Sequence, residues 1–324
     1  MTSQLTRRRA LQGMGIALSA LQSSNLLART GYPSRPVSLI VPVPPGGVID
    51  TTVRQLISHM PASFGQPIVA ENRAGGMFAV AMNAINKAAA DGYTIIHLNA
   101  AMLSTQVVTK QFDVFASLVP VAGLGATDIT ISTSGKHNFP SVAALIEHIK
   151  AHPGKVVYAS PGIGTLEHLS VSKLVRQYGL DVIHVPVKNS VEAVQMMVKG
   201  EADFGTAPIP FNIQFGASGR LKALCVLNHR RNPALPDLPT IKEAGLVADR
   251  LTIWGGLAAP KGTPAQVIAH IEQSVAAAMK TPELLKAYRG AGLEPEFETA
   301  QEFGQTWRDD WGWISAVASG PLLK

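Results

Sequence analysis

Along this chain, short apolar runs alternate with longer stretches in which apolar residues return every three or four positions. The β-like runs fall at 37–42 (VSLIVP), 67–71 (PIVAE), 94–99 (TIIHLN), 128–133 (DITIST) and 155–160 (KVVYAS). Four more follow at 181–186 (DVIHVP), 202–207 (ADFGTA), 221–227 (LKALCVL) and 251–260 (LTIWGGLAAP). The stretches between them have helical spacing. Strands that alternate with helices predict an α/β architecture with largely parallel sheets.

From about 264 to 318 the pattern is helical, with an extended break near Leu293–Phe297. The starts of these helices carry capping chemistry. Thr263 precedes Pro264, with Gln266 three positions after the Thr, which predicts a Thr cap and a first-turn Pro. Thr281-Pro282 repeats the pattern, and Thr299 with Glu302 reads as a capping box.

Two places share one plan. In VPVPPGGVIDTTVRQL, 41–56, an apolar strand runs into a Pro/Gly loop that opens a helix. In YASPGIGTLEHLSVSKLVRQY, 158–178, the same thing happens again. Two α/β lobes, each contributing one strand–loop–helix corner, account for this. The boundaries expected are 31–132 for the first part of lobe 1, 133–250 for lobe 2 and 251–324 for the completion of lobe 1. The chain would cross between lobes near Thr130–Gly135 and Ala248–Trp254, and the C-terminal helices would return to the first lobe.

A helix N-terminus leaves backbone N–H groups without partners and carries partial positive charge. Glycines before it let a ligand approach the backbone. Gly46-Gly47 and Gly162-Ile163-Gly164 are therefore candidate anion sites. Neither loop holds Lys or Arg, so backbone N–H groups, hydroxyls and water would meet the anion. Ser160 and Thr165 could supply hydroxyls, although Thr165 by itself reads more readily as the cap of its helix. Asp50 has the same double reading, as a site residue or a helix-start carboxylate. His168 reads as a structural histidine more readily than as a base.

Composition narrows the class. The 324 residues are 46% hydrophobic and 15% charged, enough apolar material for a real core and unlike a disordered chain. Residues 1–30 differ from the rest, with Arg7, Arg8 and Arg9, then the apolar ALQGMGIALSAL, then small and polar residues. This is the form of an export signal, with cleavage after Ala28. TRRRALQ also resembles a twin-arginine signal, with Ala10 where a Phe usually sits, so the export route stays open between twin-arginine and ordinary secretory. The four arginines of this segment carry most of the formal net charge of +6. Without them 24 basic residues face 22 acidic ones, a net of +2, and no nucleic-acid footprint remains. Cys225, the single cysteine, lies in an apolar run and reads as a small buried hydrophobe.

Enzyme motifs do not assemble. There is no G-x-S-x-G and no phosphate loop, and GIGTLE ends on Glu167 where a dinucleotide fingerprint needs glycine. The nine histidines show no zinc spacing, and His148 with His152 reads as a solvated helix face. No cofactor and no metal is expected.

The ordered series YPSRP (32–36), VSLIVPVPPGGVID (37–50), GQPIVAENRAGG (65–76) and KAAADGYTIIHLN (87–99) resembles the Bug family of extracytoplasmic solute receptors, the binding component of tripartite tricarboxylate transporters. The likeness continues through HPGKVVYASPGIGTLEHLS (152–170), HVPVKNSVEAVQMMVKGEADF (184–204), GRLKALCVLNHRRNPALPDLPTIKEAG (219–245) and LAAPKGTPAQVIAHI (257–271). It implies a two-lobed, type 2 periplasmic-binding-protein fold that closes on a small carboxylated ligand. It implies ligand-binding roles for Pro44, Gly46, Gly47 and Asp50 at one corner, for Ser160, Gly162, Gly164, Thr165 and His168 at the other, and for Asn99, Ala100 and Ala101 on the cleft floor.

Three departures bear on the ligand. AGGMFAVA (74–81) is shorter and more apolar than the family's Gly-rich run. Val187 and Asn189 stand where an aromatic and a glycine are common, and Ala207-Pro208 where an Asp-Asn pair is common. Ala207 joins the expected site on that alignment, and the ligand's far end should be less polar than that of an amino acid. The expected partners are a carboxylate ligand and a membrane permease pair or sensor, with the receptor a monomer in the periplasm. Two other readings, a sensory adaptor and an exported carboxylate-acting enzyme, share these features.

Overall fold

The computed structural model describes residues 31–247 and 250–318. The export segment and part of the second crossing expected at Ala248–Trp254 lie outside the described residues.

The apolar runs become strands β1 (Val37–Val41), β2 (Ile68–Asn72), β3 (Thr94–Asn99), β4 (Leu118–Ser134) and β5 (Val157–Ser160). β6 (Ile183–Pro186), β7 (Phe204–Pro208), β8 (Leu221–Val226) and β9 (Thr252–Pro260) follow. The helices that matter for the site are α1 (Val48–Ser58), α2 (Ala79–Asn86), α3 (Ala100–Thr109), α4 (Val114–Ser117), α5 (Val142–Ala151), α6 (Leu166–Gln177) and α7 (Ser190–Lys199). After α8 (Ile209–Gly216) come α9 (Ala265–Ala278), α10 (Pro282–Gly290) and α11 (Ala300–Ala318).

Two sheets share β4. Its first part pairs with β9, and β9 pairs with β3, beyond which lie β1 and β2. From Ile129 onward β4 pairs with β7 and β8, and β7 leads to β5 and β6. Within each lobe the βαβ units are parallel, as β1–β2, β1–β3, β5–β6 and β5–β7. The antiparallel pairings, β3–β9, β4–β7, β4–β8 and β4–β9, all involve a strand that joins the lobes. A strand that leaves one lobe and another that returns necessarily run in opposite directions.

The sequence reading had a strand at 128–133, whereas β4 starts ten residues earlier, at Leu118. Pro120, Gly123 and Gly125 hide this half, because such residues usually mark loops. Here they accompany register shifts at Pro120/Ala122 and Gly123/Gly125. The glycines also admit the 294–298 segment: a Cβ on Gly125 would stand 2.3 Å from the Glu294 carbonyl oxygen.

Alternation in the strands sends side chains to two layers. Val37, Leu39 and Val41 of β1 join Ile95, Leu257, Val53 and Leu56 under α1, α9 and α10. Ile40, Ile96 and Leu98 face the other way, into a core that continues to Ile129, Ile131, Tyr158 and Phe204 of the second sheet. Ala159, Val194, Met197 and Phe215 close the far face of that sheet under α7 and α8. Helix α11 brings buried Phe303 onto Trp254, with Trp307 against Phe303, and packs on α3, β4 and α6. Cys225 is buried in β8, and burial pushes its thiol up to about 12.

Side-chain capping follows the sequence in one of three cases. Thr299 and Glu302 form the reciprocal box, and Thr281 stands before Pro282 at the start of α10, without a side-chain cap bond. Thr263 does not cap α9. Its hydroxyl donates to the Pro260 carbonyl at 2.7 Å, and Pro264 takes the cap position. Among the described residues no helix is long and apolar enough to cross a membrane.

Candidate functional site

Both corners form as strand–loop–helix units at the carboxyl ends of parallel strands, where open α/β sheets present ligands. Their loops are held by different chemistry.

At the first corner, β1 passes through Pro44, Pro45, Gly46 and Gly47 into α1. Gly46 has φ of +87°, a left-handed conformation that favours glycine. The buried Asp50 carboxylate reaches back to accept the Gly46 N–H at 2.9 Å. It also accepts from Arg54 Nε at 3.0 Å and from Asn72 Nδ2 at 2.8 Å. Burial works against the charge, but these hydrogen bonds outweigh it and hold the carboxyl down at about 2. Asp50 and the Gly46 N–H are thus spent on each other.

At the second corner, β5 ends at Ser160 and α6 starts after Thr165. The Thr165 hydroxyl donates to the Gly162 carbonyl at 2.8 Å and accepts the His168 N–H at 3.2 Å, so Thr165 is the N-cap of α6. His168 is buried, and its Nδ1 accepts the Gly164 N–H at 3.2 Å. The ring proton then belongs on Nε2, which faces Ser172 Oγ at 3.2 Å. His168 stacks on His184 with centroids 4.7 Å apart, and His184 Nε2 lies 2.7 Å from Ser160 Oγ. Burial and the neighbouring His184 lower His168 to about 4, which keeps its ring neutral near neutral pH, and burial lowers His184 as well.

Between the corners lies a cavity of about 580 Å³, within the usual size range of small-ligand sites. Its wall is largely apolar: Ile49 from α1, Met77 and Phe78 before α2, Ala101 and Val108 from α3, Pro161, Ile163 and Leu166 at the second corner, and Ile253 from β9. Ser104, Thr105, Thr165, Asn189 and Ser190 add polar groups, and Glu167 and Lys188 are the charged members. The lobes touch here, since a Cβ on Gly164 would stand 2.7 Å from Val108 Cγ2.

A larger groove, about 1000 Å³, lies against α11 and is lined by Arg230, Arg250, Glu296, Glu298, Asp309 and other polar residues. No residue of either corner borders it, and its lining is mostly charged and polar side chains, unlike the predominantly apolar wall of a usual small-ligand site. The cavity between the corners is therefore the candidate site. Among the described residues no group of metal-ligating side chains comes together.

A family model described as "Tripartite tricarboxylate transporter family receptor" matches residues 52–316. The chain belongs to this family. A relative, the protein BugT of Bordetella pertussis, is 30% identical over 92% of this chain and 92% of its own. Among solved structures, the periplasmic binding protein BugD is 27% identical with a TM-score of 0.70, over 89% of this chain and 98% of its own. MatC of Rhodopseudomonas palustris, solved with bound malate, is 26% identical with a TM-score of 0.71, over 89% and 100%. The chain is accordingly a solute-binding receptor of periplasmic-binding-protein fold, and not an enzyme.

Within this receptor, Ala101, Gly164 and Thr165 of the expected site line the cavity directly. Asp50, Ser160, Gly162 and His168 build the loops behind it. Pro44 and Gly47 are exposed on the first loop, and Ala100 is buried. Asn99 is buried at the end of β3 with no partner on Nδ2. Ala207 is buried in β7, where its carbonyl accepts Thr130 Oγ1 at 2.9 Å. The sequence reading did not name Met77, Phe78, Val108, Glu167, Lys188 or Ser190 as site residues. The departures at 74–81 and 187–189 were the available signal for some of them. Met77 and Phe78 adopt φ of +50° and +72°, unusual for bulky residues, and this turns the segment toward the cleft.

Proposed function

We propose that this receptor captures a small, apolar-bodied carboxylate in the periplasm by closing its two lobes, and passes it as a monomer to a membrane permease pair. The observation that carries this reading is the cavity between two helix N-termini, with Lys188 its single cationic lining residue and an otherwise mostly apolar wall. First-turn N–H groups have no partner within their helices and favour an anion. Ile49 on α1 and Thr165 and Leu166 at α6 bring both helix starts to the cavity. Met77, Phe78, Val108 and Ile163 suit an aliphatic or aromatic body better than the ammonium group of an amino acid. Malate in the related MatC supports the carboxylate class. A ligand that touches both lobes only when they are closed shifts the equilibrium to that form.

A thermal-shift panel on the chain from about residue 31, using mono- and dicarboxylates, aromatic acids, amino acids and uncharged amides, tests this. Ligand at one hundred times its Kd adds about 2.7 kcal/mol of stability. A shift with aromatic or aliphatic acids and none with amides is the expected result. Tight binding of aspartate or glutamate with no response to simpler acids would overturn the apolar-bodied reading.

A further inference from the structure

Glu167 is not among the groups that hold the Gly162–Gly164 loop, and yet it lies in the wall of the cavity. It is the second residue of α6, 6% exposed, on the helix start where the proposed anion would sit. Its Oε1 accepts the Ser190 hydroxyl at 3.0 Å. Among the described residues no Lys, Arg or His comes within ion-pair distance. Lys188 borders the same cavity, but its backbone N–H goes to Glu192, and its side chain is exposed. His168 and His184, beneath the corner, are neutral. Burial therefore dominates and raises its pKa, while the Ser190 hydroxyl and its own N–H oppose the rise only in part. Asp50, the equivalent acid at the first corner, has three donors and does not line the cavity.

A buried carboxylate without an ion pair, in the wall that must accept another carboxylate, poses a like-charge problem. Two carboxylates sharing a site cannot both stay ionised without cost, and one of them retains a proton. We propose that Glu167 is a specificity-determining residue that binds the ligand carboxylate through one shared proton, so that the receptor takes up its anion together with H⁺ from solvent. The ligand remains chemically unchanged, the proton lies between the Glu167 carboxyl and the ligand carboxylate, and both leave when the lobes open. The inference rests on the carboxylate-receptor reading.

Titration calorimetry with adipate, malate and benzoate between about pH 6.5 and 8.5, where these probes are ionised, tests it. The wild-type Kd should weaken with rising pH, approaching tenfold per unit, and heats in buffers of different ionisation enthalpy should reveal proton uptake. Glu167→Gln, close in size, should flatten the profile to within about twofold and abolish the uptake. Ser190→Ala removes a donor that favours the charged form, and should move the loss of affinity to higher pH. Thermal melts establish that each variant is folded. A flat profile in wild type, with binding intact, overturns the shared proton and leaves the receptor reading standing. Failure of every carboxylate to bind wild type at any pH removes the receptor reading and the proposal with it.

Discussion

The two corners do the same mechanical job with opposite electrostatics. Each must hold a glycine loop open at the start of a helix. The first does so with an ion cluster, in which the Asp50 carboxylate takes Gly46 N–H, Arg54 and Asn72 together. The second uses neutral groups, Thr165, His168, His184 and Ser160, linked by hydrogen bonds and stacking. The first cluster has the half-exposed Arg54 at its edge, so a charge there keeps some hydration. The second lies beneath the lobe contact, where an unpaired charge would cost far more. Charge is tolerated where water reaches, and neutrality is required where the lobes meet.

The comparison breaks most sharply at Gly164. Its φ is +85°, and a Cβ would press on Val108. Gly164→Ala should cost about 3 kcal/mol in the closed form, from backbone strain and overpacking together. Only the overpacking share, present when the lobes touch, should reduce ligand affinity, by about tenfold in calorimetry. Adding Val108→Ala should recover part of it. The same change at Gly46, where the backbone is strained but a Cβ would meet nothing, should lose only the strain component. Equal losses at the two glycines would refute the assignment of the lobe contact to the second corner.

Asp50→Asn comes next, with an expected loss of about 2 kcal/mol in denaturant unfolding, as a charged acceptor with three donors is replaced. The sign with pH follows from its position at about 2, below the ordinary carboxylate value. The charged form is favoured by folding, so its contribution is full above about pH 4 and disappears as pH falls toward 2. The variant should lack this acid-dependent component.

Thr165→Ala removes a hydroxyl that both caps α6 and ties the loop, and should cost about 1 kcal/mol. Thr165→Ser should restore most of it. An unchanged melting curve for the Ala variant would mean that the capping geometry contributes nothing.

Near neutral pH the smallest effect is expected at His168, whose contribution shows only in acid. Its pKa of about 4 lies below the ordinary histidine value, so the unfolded chain takes up a proton first as pH falls. Stability should therefore decline from about pH 6.5 to 4 and stay level above that window. His97, buried in β3 and also lowered to about 4 by burial, contributes to the same decline. His168→Asn keeps an acceptor near the Gly164 N–H and removes one titration, so the slope should become shallower without vanishing.

Much of this was legible in the residues themselves. The apolar runs located the strands other than β4 to within a few residues, and Pro/Gly loops before helical spacing marked both corners. The structural side of the double readings of Thr165 and His168 is visible, since the hydroxyl and imidazole bond Gly162, Gly164 and Ser172, while Thr165 also lines the cavity. The first half of β4 was not legible, since its glycines look like loop residues until the 294–298 segment is laid across them. Glu167 was seen only as the residue that interrupts a glycine motif.

The sequence by itself determined the local units: where strands end, where helices start and which loops need glycine. Those properties depend on backbone conformation and on spacing over a few residues. Tertiary structure decided which groups face the ligand. Val108 meets Gly164 and Ser190 meets Glu167 across 56 and 23 positions of chain, and only packing determines whether a carboxyl group is surrounded by donors, as Asp50 is, or left in an apolar wall, as Glu167 is. A carboxylate's charge depends on that surrounding, which local residue patterns do not encode.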